Sequence, residues 1–146
     1  IPAGRVENEV ICLTDLMASV ASLTGYQLPQ QAAEDSYDIT PALFGKPRRR
    51  AIREATVHHS MNNEYALRQG EWVYIESAQG KHGPAEPAWW REKHGLPAPQ
   101  QEAELYHLKE DLRESKNLVA AYPERVQAMR ALLNKYKTED RSVPPR

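Results

Sequence analysis

Residues 53–77 read REATVHHSMNNEYALRQGEWVYIES, and this stretch decides the fold. Thr56-Val57-His58-His59-Ser60 is strand-like. Asn62-Asn63 tolerate positive φ and suit a tight hairpin turn. Tyr65-Ala66-Leu67-Arg68 follows as a second strand, Gln69-Gly70 as a second turn, and Trp72-Val73-Tyr74-Ile75 as a third strand. Three short strands joined by two tight turns predict an antiparallel meander.

Downstream, Leu105-Tyr106-His107-Leu108 is a fourth strand candidate. "KEDLRESKNLV" then reads as a turn-rich linker. The last element is a helix: Pro123 suits its first position, and Glu124 suits the positive end of its dipole. Val126, Met129, Leu132, Leu133 and Tyr136 form its apolar stripe, with Lys135 and Lys137 near its C-terminal end. Thr138 to Arg146 reads as a disordered tail. Residues 77–104, rich in Gly, Pro, Ala and Gln, are too long for a plain connection and read as an insertion. Within them Ala88-Trp89-Trp90-Arg91 predicts a helical turn whose tryptophans cover apolar surface or line a pocket rim.

Upstream, residues 11–24 predict a helix whose apolar face is Leu13, Leu16, Met17, Val20 and Leu23. Thr14 is the expected N-cap, Asp15 suits the first turn, and Gly25 suits a left-handed C′ position. That face needs a partner which the next thirty residues do not obviously supply. Residues 26–50 read as loop, with one short turn at Pro41 to Phe44 closed by Gly45. The predicted class is α+β: a small four-stranded antiparallel sheet packed by a C-terminal amphipathic helix, preceded by a helix that belongs to something larger.

The chain has 146 residues, 40% hydrophobic and 27% charged, enough for one core of ordinary size. It begins Ile1-Pro2 rather than with Met, so a chain that is processed, or cut from something longer, is expected. No apolar run approaches the roughly 18–20 residues that span a bilayer. The net charge of −1 steers the chain to neither nucleic acid nor an anionic membrane. Arg48-Arg49-Arg50 is the one dense basic run and reads as a solvated loop. The single cysteine, Cys12, lies among Val10, Ile11 and Leu13, where a buried inert thiol is expected; it has no CxxC partner, and the histidines show no HxxxH spacing. No GxSxG, HExxH, P-loop or GxGxxG is present. The residues by themselves stop at an α+β domain.

Five segments in order carry a resemblance. "TDLMASVASLTGY", "DSYDITPALFG", "YALRQGEWVYI" and "ELYHLKEDLRESKNLVAAYPERVQAMRALLNKY", preceded by "IPAG", resemble the C-terminal part of type I sulfatases, the arylsulfatase-like enzymes of the alkaline-phosphatase superfamily. Val73 departs from the family's usual Lys, and Leu112-Arg113 from its Pro-Gly. The resemblance implies that residues 1–45 are the last helix and loop of a large N-terminal α/β sulfatase domain, and residues 46–146 a C-terminal subdomain. It implies a parent that hydrolyses aryl or carbohydrate sulfates with a calcium ion and a formylglycine made in a C/S-x-P-x-R motif. Cys12-Leu13-Thr14-Asp15 fails that motif, so the chain alone is expected to be inactive and to lack the metal site. His58, His59 and Arg68 are the expected substrate-binding candidates, because this hairpin reaches toward the pocket in some family members. Alternation along a strand lets only one of the two histidines face the cleft. The plainer reading is a structural or solvated residue for each histidine and a solvated or ion-paired strand residue for Arg68. The implied partners are the N-terminal sulfatase domain and a sulfated small molecule or glycan. A non-catalytic module that binds carbohydrate or protein is the alternative.

Overall fold

The computed structural model describes residues 1–60, 64–76, 87–95 and 103–144. The turn expected at Asn62-Asn63 lies outside the described residues. The chain divides into two compact units, one of Ile1–Thr56 with Tyr136–Arg146 and one of Val57–Lys135.

The second unit holds the sheet. Strands β1 (Thr56–His59), β2 (Tyr65–Gln69), β3 (Trp72–Ile75) and β4 (Glu104–His107) lie in the order β1-β2-β3-β4. β2 pairs antiparallel with β3, Leu67 opposite Tyr74 and Gln69 opposite Trp72. β3 pairs antiparallel with β4, Tyr74 opposite Leu105 and Trp72 opposite His107. Gly70 turns β2 into β3 with a φ of 58°, which a Cβ would strain. Leu67, Tyr74 and Leu105 thus form one cross-strand row, and all three are fully buried. Helix α4 (Pro123–Thr138) covers that face. Its Val126, Met129 and Leu133 are buried, and the Arg130 Nε donates to the Tyr74 hydroxyl at 3.0 Å. The α+β class and the four strands stand as the sequence predicts, with boundaries shifted by a residue at β1, β2 and β4.

On the other face, Tyr106 is buried and donates its hydroxyl to the Glu104 carboxylate at 2.7 Å. Burial, then that acceptor, push its phenol above the usual range. Asn117 stands in for a strand neighbour: its side-chain oxygen accepts the Leu105 N–H at 3.1 Å. Helix α3 (Ala88–His94) forms where a helical turn is predicted. Its tryptophans do not cover a core. Trp89 and Trp90 are exposed and pack edge-on against each other at 5.7 Å, with His94 4.0 Å from Trp90.

In the first unit, a single 3₁₀ turn (Leu13–Asp15) leads into α1 (Leu16–Thr24). The cap is not Thr14. That residue lies inside the 3₁₀ turn, and its hydroxyl donates to the Asp35 carbonyl instead. Asp15 reaches back to accept the Cys12 N–H at 2.7 Å. Gly25 ends α1 in the left-handed region at φ 73°, and the Tyr26 N–H closes the last turn on the Ala21 carbonyl. A second short helix, α2 (Thr40–Leu43), has Pro41 in its first turn.

Three expectations about loops change. The residues that follow α1 do cover it, but through its small-residue face. Ser36 Oγ accepts the Ala18 N–H at 2.8 Å, and Ser19 Oγ accepts the Ile39 N–H at 3.1 Å. The described part of the tail is held rather than loose. Ser142 and Val143 donate N–H groups to the Glu34 carbonyl, and Tyr37 donates its hydroxyl to the Ser142 carbonyl at 2.7 Å. Backbone groups make most of these ties, so composition carries no sign of them. Arg48 also leaves the solvated loop to pair with Glu7 at 2.9 Å and Glu9 at 3.3 Å, while Arg49 and Arg50 stay exposed. No described helix is long and apolar enough to cross a membrane.

Candidate functional site

Two features of the structure bear on function: the surface that α1 presents, and the hairpin that carries the predicted ligand-binding residues.

Asp15 organises the first. It is fully buried and accepts hydrogen bonds from the Cys12 N–H, the Tyr37 N–H and the Arg53 guanidinium. Arg53 is itself buried and lies 4.7 Å above the Tyr37 ring. A buried carboxylate is tolerated when paired and hydrogen-bonded in this way. The node fixes the start of α1 and turns Ala18, Ser19 and Ala21 inward. Leu13, Leu16, Met17, Val20 and Leu23 therefore face out, each between 54% and 85% exposed. Five large apolar side chains on one helix face make a contiguous patch of the kind that marks a contact surface. Leu16, Met17, Val20, Thr24, Tyr26 and Leu28 line a shallow, largely apolar depression along it. Cys12, expected buried, is half-buried at the edge of this node because the turn lifts it outward. A hydrogen bond with the Thr14 side chain holds its thiol below the usual range.

The predicted binding residues fall on β1 and β2. His58 and His59 are both exposed, and Arg68 is half-buried. The His59 ring faces the Tyr65 ring at 5.8 Å, and its Nδ1 lies 3.1 Å from the Ser60 carbonyl. His59 thus shares the face of Tyr65 and, two residues on, Leu67. Strand alternation puts His58 on the other face, the one carrying Ala66 and Arg68. Arg68 stands opposite Val73 and donates its Nε to the Gly70 carbonyl at 3.1 Å, which holds the guanidinium stem on the turn. The structure brings His58 and Arg68 to one face and separates His59 from them. Among the described residues no group of three His, Cys, Asp or Glu could hold a metal ion.

One signal escapes a reading centred on Cys12. Ser142-Val143-Pro144-Pro145-Arg146 spells the S-x-P-x-R pattern. The Ser142 N–H lies on the Asp35 carboxylate and the Glu34 carbonyl, and its carbonyl accepts the Tyr37 hydroxyl. The Asp15–Arg53 node escapes it too, because its partners lie 38 residues apart.

The second unit is a meander of four antiparallel strands under one amphipathic helix, and the first holds a helix with an exposed apolar stripe. The comparisons name the class: fold and sequence are similar to the C-terminal subdomain of sulfatases. The chain is 34% identical over 124 residues to an N-acetylgalactosamine-6-O-sulfatase of Bacteroides thetaiotaomicron, which covers 85% of this chain and 23% of that protein. A Bacteroides thetaiotaomicron sulfatase structure, from work on the metabolism of multiple glycosaminoglycans, matches 86% of this chain and 24% of its own length at 34% identity and a TM-score of 0.67. A 2-O GAG sulfatase shares the fold at 23% identity and a TM-score of 0.59, over 90% of this chain and 26% of its own. The chain thus spans about a quarter of the length of these relatives. No family model matches it.

Proposed function

We propose that this chain is the C-terminal part of a sulfuric ester hydrolase and completes the substrate cleft of an N-terminal sulfatase domain. One observation carries the reading. The apolar stripe of α1 is held outward by a buried ion pair, and a fixed apolar face of that size calls for a protein partner. In this reading residues 1–45 end the large domain and residues 46–146 form the C-terminal subdomain. The relatives at 34% identity, an N-acetylgalactosamine-6-O-sulfatase and a sulfatase from work on glycosaminoglycan metabolism, support a sulfated glycan as substrate.

The chemistry then belongs to the N-terminal domain. There a formylglycine residue would supply the nucleophile and a bound calcium ion the Lewis acid for the sulfate. This chain's own residues bind and orient. His58 and Arg68, on one face of the hairpin, take a sulfate oxygen and a sugar hydroxyl. His59, turned to Tyr65, stays outside the cleft. Ser142, despite its S-x-P-x-R spelling, is read as an unmodified serine whose backbone N–H is tied to the Asp35 carboxylate.

The test is kinetic, in the intact enzyme. His58→Ala and Arg68→Gln each raise KM for a sulfated sugar about tenfold, the scale of one charge-assisted hydrogen bond, with little change in kcat. His59→Ala changes neither. An unchanged KM in both of the first two variants overturns this placement of the cleft.

A further inference from the structure

A groove at the start of α4 has no role in the cleft just described. It measures about 570 Å³, room for one or two sugar rings, and Gln69, Tyr122, Glu124 and Arg125 supply its polar and aromatic wall. Two of its lining residues, Tyr122 and Arg125, are braced from behind by aromatic packing on Trp72, which does not itself line the groove. Trp72 meets His107 edge-on at 4.5 Å and Tyr122 at 5.2 Å, and the Arg125 guanidinium lies 4.6 Å over the Trp72 ring. The cation and the Tyr122 ring therefore share one rigid base, and little ordering is left for a ligand to impose. No carboxylate pairs with Arg125 among the described residues, although Glu124 sits on the rim. The positive end of α4's dipole adds to the attraction for an anion. Tyr122 is 45% exposed, an aromatic surface of the kind that packs on sugar C–H groups, while the Gln69 amide can both donate to and accept from hydroxyls.

We infer that this groove is a subsite for an anionic saccharide, in which Arg125 takes the acidic group, Tyr122 the sugar face and Gln69 a hydroxyl. Gln69 and Trp72 lie on the opposite face of the sheet from Arg68, so this is a second site and not part of the first. It extends the substrate reading from one sugar to a chain of them. It relies on the sulfatase reading only for the expectation that the acidic group is a sulfate.

Binding tests it without any turnover. In a background carrying Trp89→Phe and Trp90→Phe, Trp72 is the only tryptophan and reports by fluorescence. The protein is titrated with a 6-sulfated chondroitin tetrasaccharide, with its desulfated form, which keeps the carboxylates, and with neutral N-acetylglucosamine tetramer. The sulfated chain binds at least about tenfold tighter than the neutral one, and Arg125→Gln loses about tenfold. Arg125→Lys keeps most of the binding, which separates lost charge from lost folding. A desulfated chain that binds as well as the sulfated one makes the carboxylate the anion and still supports the site. Equal binding of the neutral tetramer, an unchanged Arg125→Gln, or no binding of any probe overturns it. Such a failure leaves the kinetic test of the His58 and Arg68 cleft untouched.

Discussion

Asp15→Asn strikes the node on which the display of α1 depends. The wild-type carboxylate is fully buried and holds the Arg53 guanidinium together with two backbone N–H groups. An amide keeps one acceptor oxygen, so part of the backbone capping survives. The charge does not, and Arg53 is left buried without a counter-ion. Breaking a buried pair by removing one partner costs about 3–5 kcal/mol. For a chain of this length that is a fall of roughly 10–16 °C in Tm. Urea and thermal denaturation followed by circular dichroism measure it. A double-mutant cycle with Arg53→Met isolates the pair, since removing both charges restores neutrality and the two losses do not add. The expected coupling is about 1–3 kcal/mol. A single-variant loss under about 1 kcal/mol, or strict additivity in the cycle, would refute the claim that this pair holds α1.

Other expectations follow from named residues. Met17→Asp, on the exposed stripe, leaves the stability of the isolated chain within about 0.5 kcal/mol and abolishes its association with the N-terminal domain; a large loss of stability would mean the stripe is core after all. Gly25→Ala costs about 1 kcal/mol, because φ 73° strains any Cβ there although nothing crowds it. Tyr136 is pushed up to about 12, first by burial and then by the Glu54 carboxylate. The raised value means the folded state keeps a proton that the unfolded chain releases near its ordinary value of about 10. That contribution to stability is complete below pH of about 10 and is lost as pH rises toward 12, and Tyr136→Phe should flatten this part of the profile. Mass spectrometry of the C-terminal peptide should find Ser142 intact; a mass lower by two hydrogens would show conversion to formylglycine.

The sheet was legible because its determinants are local. Gly70 marks a turn, and the alternation of Tyr65, Leu67, Trp72 and Tyr74 selects one face. The stripe Val126, Met129 and Leu133 matches that face, and all three are buried as their spacing implies. The periodicity of α1 was equally clear, yet it gave only the apolar face and not its fate. Small residues, Ala18, Ser19 and Ala21, pack inward through hydrogen bonds to Ser36 and Ile39, and no hydropathy pattern reports them. Long-range ties stayed hidden for the same reason. Arg53 reaches Asp15, and the tail reaches Glu34 through backbone N–H groups that every sequence possesses. Of the proposed site, His58, His59 and Arg68 were named only through the family resemblance of the hairpin. The sharing of a face by His58 and Arg68 follows from the turn of His59 toward Tyr65, which only coordinates reveal. Trp72 and Arg125, 53 positions apart, carry the second groove, and the proline that starts α4 is the one local hint of where it lies.

The central claim is that the chain shapes a cleft whose chemistry lies elsewhere. Sulfate release from an aryl sulfate and from N-acetylgalactosamine 6-sulfate by the purified 146-residue chain tests it most directly. The account predicts no release above the uncatalysed background, with or without added calcium. Multiple turnovers by the chain alone, abolished by Ser142→Ala, would contradict it.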